Sequence, residues 1–485
     1  MKTRIPLLSA MSLSMLVLLA GCGGGGGGSS NAAPVAVNPW GLLHGSEIEN
    51  TSTNLGVYGV EGQAAAANTP GPRSGSDTWV DAKGRLWGFG GYGPVYGYYD
   101  DLWMFDPASN EWTWVGGPQT ENDAGVYGTQ GQPSATNWPG ARAASATWID
   151  ASGNLCLFGG DGYGASATAN GLLNDLWCYS TTAGTWTWMG GPQATWNAGT
   201  FGTEGTASSS NLPSARMAAA VDGSGNVWLF GGFGVGTSSP TAGVLNDLWE
   251  YNEAAGTWEW VSGSSVTSTA STADYGTMGQ PAATNVPGGR SSAVAWIDGA
   301  GILHLFAGNG YGAGSVSTAE GNLNDLWTFD PASSEWTWVG GSDTVNQGGS
   351  YGTLGVAAPG NWPGARSDSA YFVQNGTVWV YGGTGTPGSS GTIELDDVWS
   401  YNETSGQWTW AALSDSPNST DDGQTPGSRY GSVFWLTPTG QAYLFGGDGV
   451  DQNGNTGILN LKLLTVPNRF PLPFRPFCRN PVAAF

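Results

Sequence analysis

Basic residues are scarce: of 485 residues only 14 are lysine or arginine, against 37 aspartate or glutamate, for a formal net charge of −23. A surface that tracks nucleic-acid phosphates is therefore excluded, and the acidity reads as solubility. Histidine is scarcer still, with only His44 and His304. No Ser-His-Asp grouping, glycine-rich phosphate loop or zinc-ligand spacing is present, so the sequence implies no metal and no cofactor. Long apolar runs are limited to the first 20 residues. That run has a basic start (Lys2, Arg4), is short for a membrane span and ends in small residues, which is the pattern of an export signal.

What the chain has instead is glycine, 82 residues, and tryptophan, 26 residues, arranged in a repeat. The phrase Leu173-Asn174-Asp175-Leu176-Trp177, followed by Trp186-Thr187-Trp188, recurs around Asp101, Asp247, Asp325 and Asp397. A short turn separates its halves, so it reads as two strands joined by a hairpin. Period-2 alternation puts Trp186 and Trp188 on one face, which only a neighbouring sheet can cover. Upstream lies a second hairpin: an arginine and small residues (Arg142 to Ala146), a turn, and a return strand ending Phe158-Gly159-Gly160. Its opening arginines are Arg73, Arg142, Arg216, Arg290, Arg366 and Arg429, which define six units of four strands. A repeated four-stranded unit unable to bury its own face predicts an all-β, six-bladed β-propeller.

The Gly-Gly doublet (Gly90-Gly91, Gly159-Gly160, Gly231-Gly232, Gly382-Gly383, Gly446-Gly447), the third-strand aromatic (Phe105, Tyr179, Tyr251, Phe329, Tyr401) and the tryptophan after it resemble the kelch repeat, over roughly residues 39 to 465. One unit departs, with Ala307-Gly308 in place of the doublet. The resemblance implies a propeller like the central domain of galactose oxidase. It does not imply that enzyme's chemistry, since two histidines and two tyrosines on the axis cannot be assembled here, and the fold serves scaffolds and enzymes alike.

Leu19-Ala20-Gly21-Cys22 resembles the bacterial lipoprotein box. The resemblance implies a signal peptide over 1–21, acylation of Cys22, a glycine- and serine-rich tether over 22–38, and attachment to the cell envelope, at the outer membrane if the cell has one. Residues 39 to 45 read as a lone outer strand whose three partners lie in Arg429 to Leu464. Pairing them closes the ring and removes exposed edges. Residues 466–485 form a proline-rich irregular tail.

Fifteen tryptophans belong to the signature phrase, and eight more fall in other strands. Only Trp138, Trp196 and Trp362 remain for loops, and Trp196 falls in no repeat column, which makes it the leading candidate for touching a partner. Asp175, Trp177, Trp186 and Trp188 are expected to be structural. Arg142, Arg216 and Arg290, with the other opening arginines, either form a cationic ring near the axis for an anionic ligand or pair with the repeated aspartates. Cys156 and Cys178 lie in adjacent strands, and the sequence leaves their bonding open.

Two functions follow. One is a membrane-tethered, monomeric module that binds a protein or a carbohydrate without catalysis through its long-loop face, where strand order gathers the second-to-third and fourth-to-next-first connections, such as Gly160 to Leu173 and Gly191 to Pro213. The other is a sugar-acting enzyme resembling the periplasmic sialic-acid mutarotase, with axial arginines holding a carboxylate and a loop acid, Glu61 or Glu204, moving a proton.

Overall fold

The structure, a computed structural model, describes residues 41–44, 56–217, 220–222, 225–237, 242–266, 273–313, 320–386, 393–412, 419, 426–450, 456–458 and 463–466. All lie in the compact unit Asn38–Phe485. Cys22, the tether and the tail after Val466 fall outside the described residues.

The described residues contain strands and turns and no helix. The longer strands form antiparallel sheets of four strands, two of which gain a fifth, short strand, and further short strands form small sheets of two or three. In the sheet Ala146–Ile149, Leu155–Phe158, Leu176–Ser180 and Thr185–Gly190, strands pair in sequence order. The last such sheet joins the two ends of the chain: Gly41–His44 pairs with Leu463–Val466, which pairs with Ala442–Phe445. The sequence expects that pairing, and the strand lies nearer the tail than expected.

Each sheet packs on the next through aromatic rings. Trp79, Trp87 and Phe89 of the first meet Trp177, Tyr179 and Trp186 of the second. Trp148 and Phe158 meet Trp249 and Trp258, and the series continues until Trp435 and Phe445 pack on Trp103 and Trp112 of the first sheet. Each buried ring removes about 150–250 Å² from water, roughly 4–6 kcal/mol gross. Packing thus explains most of the tryptophan content.

The first strand of each unit is not continuous, as the sequence suggested. In five of the six units it breaks at a left-handed residue, Gly75, Ala144, Ser292, Asp368 or Gly431, and the matching position of the third unit falls outside the described residues. The break turns the backbone so that neighbouring units bond to one another. Ala144 N–H donates to Gly75, Gly75 to Gly431, Gly431 to Asp368, and Asp368 to Ser292. The glycine doublets have a related cause. Gly160 has φ of 95° and donates to the carbonyl of Arg216 in the next unit, at 2.9 Å, while Gly447 donates to Arg73 across the join. A Cβ at Gly90 would collide with the Arg142 carbonyl, so the doublet allows backbone to meet backbone.

Loops following the fourth strands cover the outer edge of the next sheet. Gly131 donates to Trp188 O, and Asn137 Nδ2 bonds both Gln132 O and Trp186 O. Asn68, Asn211, Asn285 and Asn361 repeat that pin. These contacts occupy backbone groups that would otherwise template edge-to-edge pairing.

Candidate functional site

Each repeated aspartate is the hub of a buried node. Asp175 Oδ1 accepts from Arg142 Nη1 at 2.7 Å. Its Oδ2 accepts from Arg142 Nη2 at 2.8 Å, Tyr127 Oη at 2.6 Å and Trp177 Nε1 at 2.8 Å. Arg142 also donates to the carbonyls of Gly140 and Gly159. Burial pushes the Asp175 carboxyl up, but the guanidinium and the other donors outweigh it and hold the group below the usual carboxylate range. Arg216–Asp247 and Arg290–Asp325 repeat the geometry with fully enclosed side chains.

Two of the alternatives left open by the sequence thereby separate. Arg142, Arg216 and Arg290 face the aspartates of their own sheets. First strands from all six units meet around a cavity of about 580 Å³, with Asp77, Thr147, Met217, Ser292, Asp368 and Phe434 among its lining, and no arginine lines it. Asp77 is the notable group there. Its Oδ1 accepts from Ser145 N–H at 2.8 Å, and burial pushes its carboxyl up to about 7.

Trp138 and Trp362 are part of the packing. Trp138 Nε1 donates to Asp100 O and its ring meets Trp186, and Trp362 does the same with Asn324 O and Trp408. Tyr127, Phe201, Tyr275 and Tyr351 of the Tyr/Phe-Gly-x-x-Gly turns lie on Trp177, Trp249, Trp327 and Trp399. His304 stacks on Trp296 at 4.7 Å, with Nε2 3.1 Å from Asp298 Oδ2. Cys156 and Cys178 are directly paired across neighbouring strands and are joined in a disulfide. Glu61 and Glu204 are exposed, the former beside Gly62, which donates to Trp114 O at the outer strand.

Trp196 stands apart, but not as the sequence suggested. It does occupy a repeat column, one defined by backbone geometry. Asn122, Trp196 and Asn346 all have left-handed backbone, with φ of 68°, 63° and 58°. Their amides donate to the carbonyls of Tyr98, Leu172 and Asn322 respectively. In two of the three, the asparagine Oδ1 also accepts from the main chain, Tyr98 N for Asn122 and Asn322 N for Asn346. Asparagine suits this conformation, whereas tryptophan pays about 1–2 kcal/mol for the clash of its Cβ. Trp196 nevertheless lies there with 49% of its surface exposed, its indole laid over Gly171 where a Cβ would collide.

Tyr96 is the second such residue. Its φ is 67° and it is 82% exposed. Among the described residues, the other non-glycine positions with left-handed backbone are alanine, serine, asparagine or aspartate, so the two bulky ones are both displayed aromatics. From Tyr96 a chain of rings runs through Tyr92 (6.3 Å), Tyr98 (5.2 Å) and Tyr163 (6.2 Å). Tyr98 Oη donates to Asp161 Oδ2 at 2.6 Å. Ala165 N–H donates to Gln193 O, and Gly171, under Trp196, pairs with Gly162, so the strip continues to the indole. Sequence reasoning missed these tyrosines; the signal was Tyr92-Gly93-Pro94-Val95-Tyr96-Gly97-Tyr98-Tyr99, a density that no other unit repeats.

No protein-family model and no curated protein matches the chain.

Proposed function

We propose that the chain is a six-bladed, kelch-like propeller, tethered to the cell envelope through Cys22, that binds its ligand without catalysis on the face carrying the long loops. Sheet-to-sheet packing that returns from the last sheet to the first supports the propeller reading. The observation that carries the binding reading is the strip of rings from Tyr96 to Trp196, exposed at its two ends and half-buried between them, on loops joining second to third and fourth to next first strands. The sugar-acting enzyme has less support: it needs free arginines for a carboxylate, and Arg142, Arg216 and Arg290 are engaged by Asp175, Asp247 and Asp325.

The test is binding of the full chain to arrays of glycans and envelope proteins, beside a mutarotation assay. Binding lost in Tyr96→Ser, without turnover, is the expected result. Turnover abolished by Glu204→Gln would replace the binding reading with the enzymatic one.

A further inference from the structure

The ligand class is written in the same strip, and this inference rests on the loop-face binding reading. We infer that Trp196 and Tyr96 are stacking platforms for the pyranose rings of a neutral oligosaccharide, with Asp161 positioned beside the tyrosines to accept hydrogen bonds from sugar hydroxyls.

Three observations lead there. The first is that both displayed rings sit on left-handed backbone, and that the two counterparts of Trp196 in its column, Asn122 and Asn346, are asparagines. Strain of this kind persists where function holds it. Packing does not require the Trp196 indole, since Asn122 and Asn346 complete the same loop with better local geometry, and the Tyr96 ring is 82% exposed.

The second is the character of the surface around them. Polar groups lie beside the rings: Tyr98 Oη is hydrogen-bonded to Asp161 and Asn170, and Asn122 Oδ1 accepts from Tyr98 N–H. Tyr98 spends its hydroxyl on Asp161 Oδ2, which fixes the ring as a plane beside a half-buried carboxylate. The centre of a protein interface is depleted of charge, whereas this strip holds the Asp161 carboxylate among its rings. Separate aromatic planes with polar groups between them fit sugars, which present C–H faces and hydroxyl edges.

The third is charge. No lysine or arginine occurs in residues 91–99, 117–125, 160–173 or 191–199. The nearest opening arginines are enclosed with their aspartates. An anionic chain would meet carboxylates with no compensating cation, so the oligosaccharide is neutral.

The experiment titrates the full chain with a β-1,4-glucan hexasaccharide, an α-1,4-glucan hexasaccharide, a xylan hexasaccharide and, as anionic control, a polygalacturonate oligomer, following tryptophan fluorescence and heat. The expected result is saturable binding of at least one neutral chain and none of the control. Trp196→Asn should weaken that binding at least tenfold while leaving the melting temperature unchanged or raised, and Tyr96→Ser should weaken it several-fold. Preference for the anionic chain, lost in Trp196→Asn, would overturn the neutral-sugar inference and leave the loop-face reading standing. Neutral-sugar binding that survives both substitutions would overturn the assignment of the platforms. Absence of binding to every oligosaccharide, together with no effect of Tyr96→Ser on any array ligand, would overturn both.

Discussion

Asp175 and Trp196 belong to the same repeat unit and are handled in opposite ways. The carboxylate is enclosed, in register with its counterparts, and met by donors on both oxygens. The indole is half in solvent, differs from the asparagines of its column, and sits on backbone that disfavours it. Where the repeat is kept, side chains hold sheets together. Where it is broken at an energetic cost, side chains are offered to something outside the chain.

The strongest test of the kept half is Arg142→Ala, which leaves Asp175 buried without its cation. Loss of about 3–5 kcal/mol is expected in urea unfolding. A loss under 1 kcal/mol would mean that the node is not structural. Trp186→Ala, which empties an inter-sheet contact, should lose a similar 3–5 kcal/mol. The disulfide closes a loop of sequence separation 22, and replacing both Cys156 and Cys178 by serine should lower stability by about 3 kcal/mol under oxidising conditions.

Acid and base limits sharpen the same contrast. Asp175 and Asp397 have depressed carboxyls, since the arginine and the other donors outweigh burial. Their stabilisation is present above the unfolded carboxylate range and is lost as pH falls through their lowered values. Asp77 runs the other way: its carboxyl, raised to about 7 by burial, favours the fold below about pH 4 and loses that contribution as pH rises through 7. Asp77→Asn should therefore stabilise the chain at pH 8 by an amount on the order of 1 kcal/mol or more, with little effect at pH 4. Asp100, also raised by burial, stands where Asn174, Asn246 and Asn324 donate to the carbonyls of Pro213, Pro287 and Pro363. Asp100→Asn should add about 1 kcal/mol, read as a higher urea midpoint at pH 7.

The sequence made the nodes, the four-stranded unit and the pairing of the chain's ends legible, because each rests on residues at fixed spacing. Arg142 and Asp175 recur together, and only their partnership had to be decided by geometry. What was not legible depends on backbone. The break at Ala144 follows from bonds between units that no single repeat contains. The pins from Asn137 and its counterparts were missed, because their acceptors lie in the next sheet. The place of Trp196 was hidden because its column is held by φ and main-chain hydrogen bonds while its side chains differ. The tyrosines from Tyr92 to Tyr98 lay in one loop and had no counterpart to compare.

The division between packing and display is tested most directly by urea unfolding of Trp196→Asn beside the unaltered chain. An indole held for display predicts an unchanged or higher midpoint, with a gain of up to about 1–2 kcal/mol from relief of the left-handed strain. A fall of the size expected for Trp186→Ala would show that Trp196 packs like the other tryptophans and is not held for display.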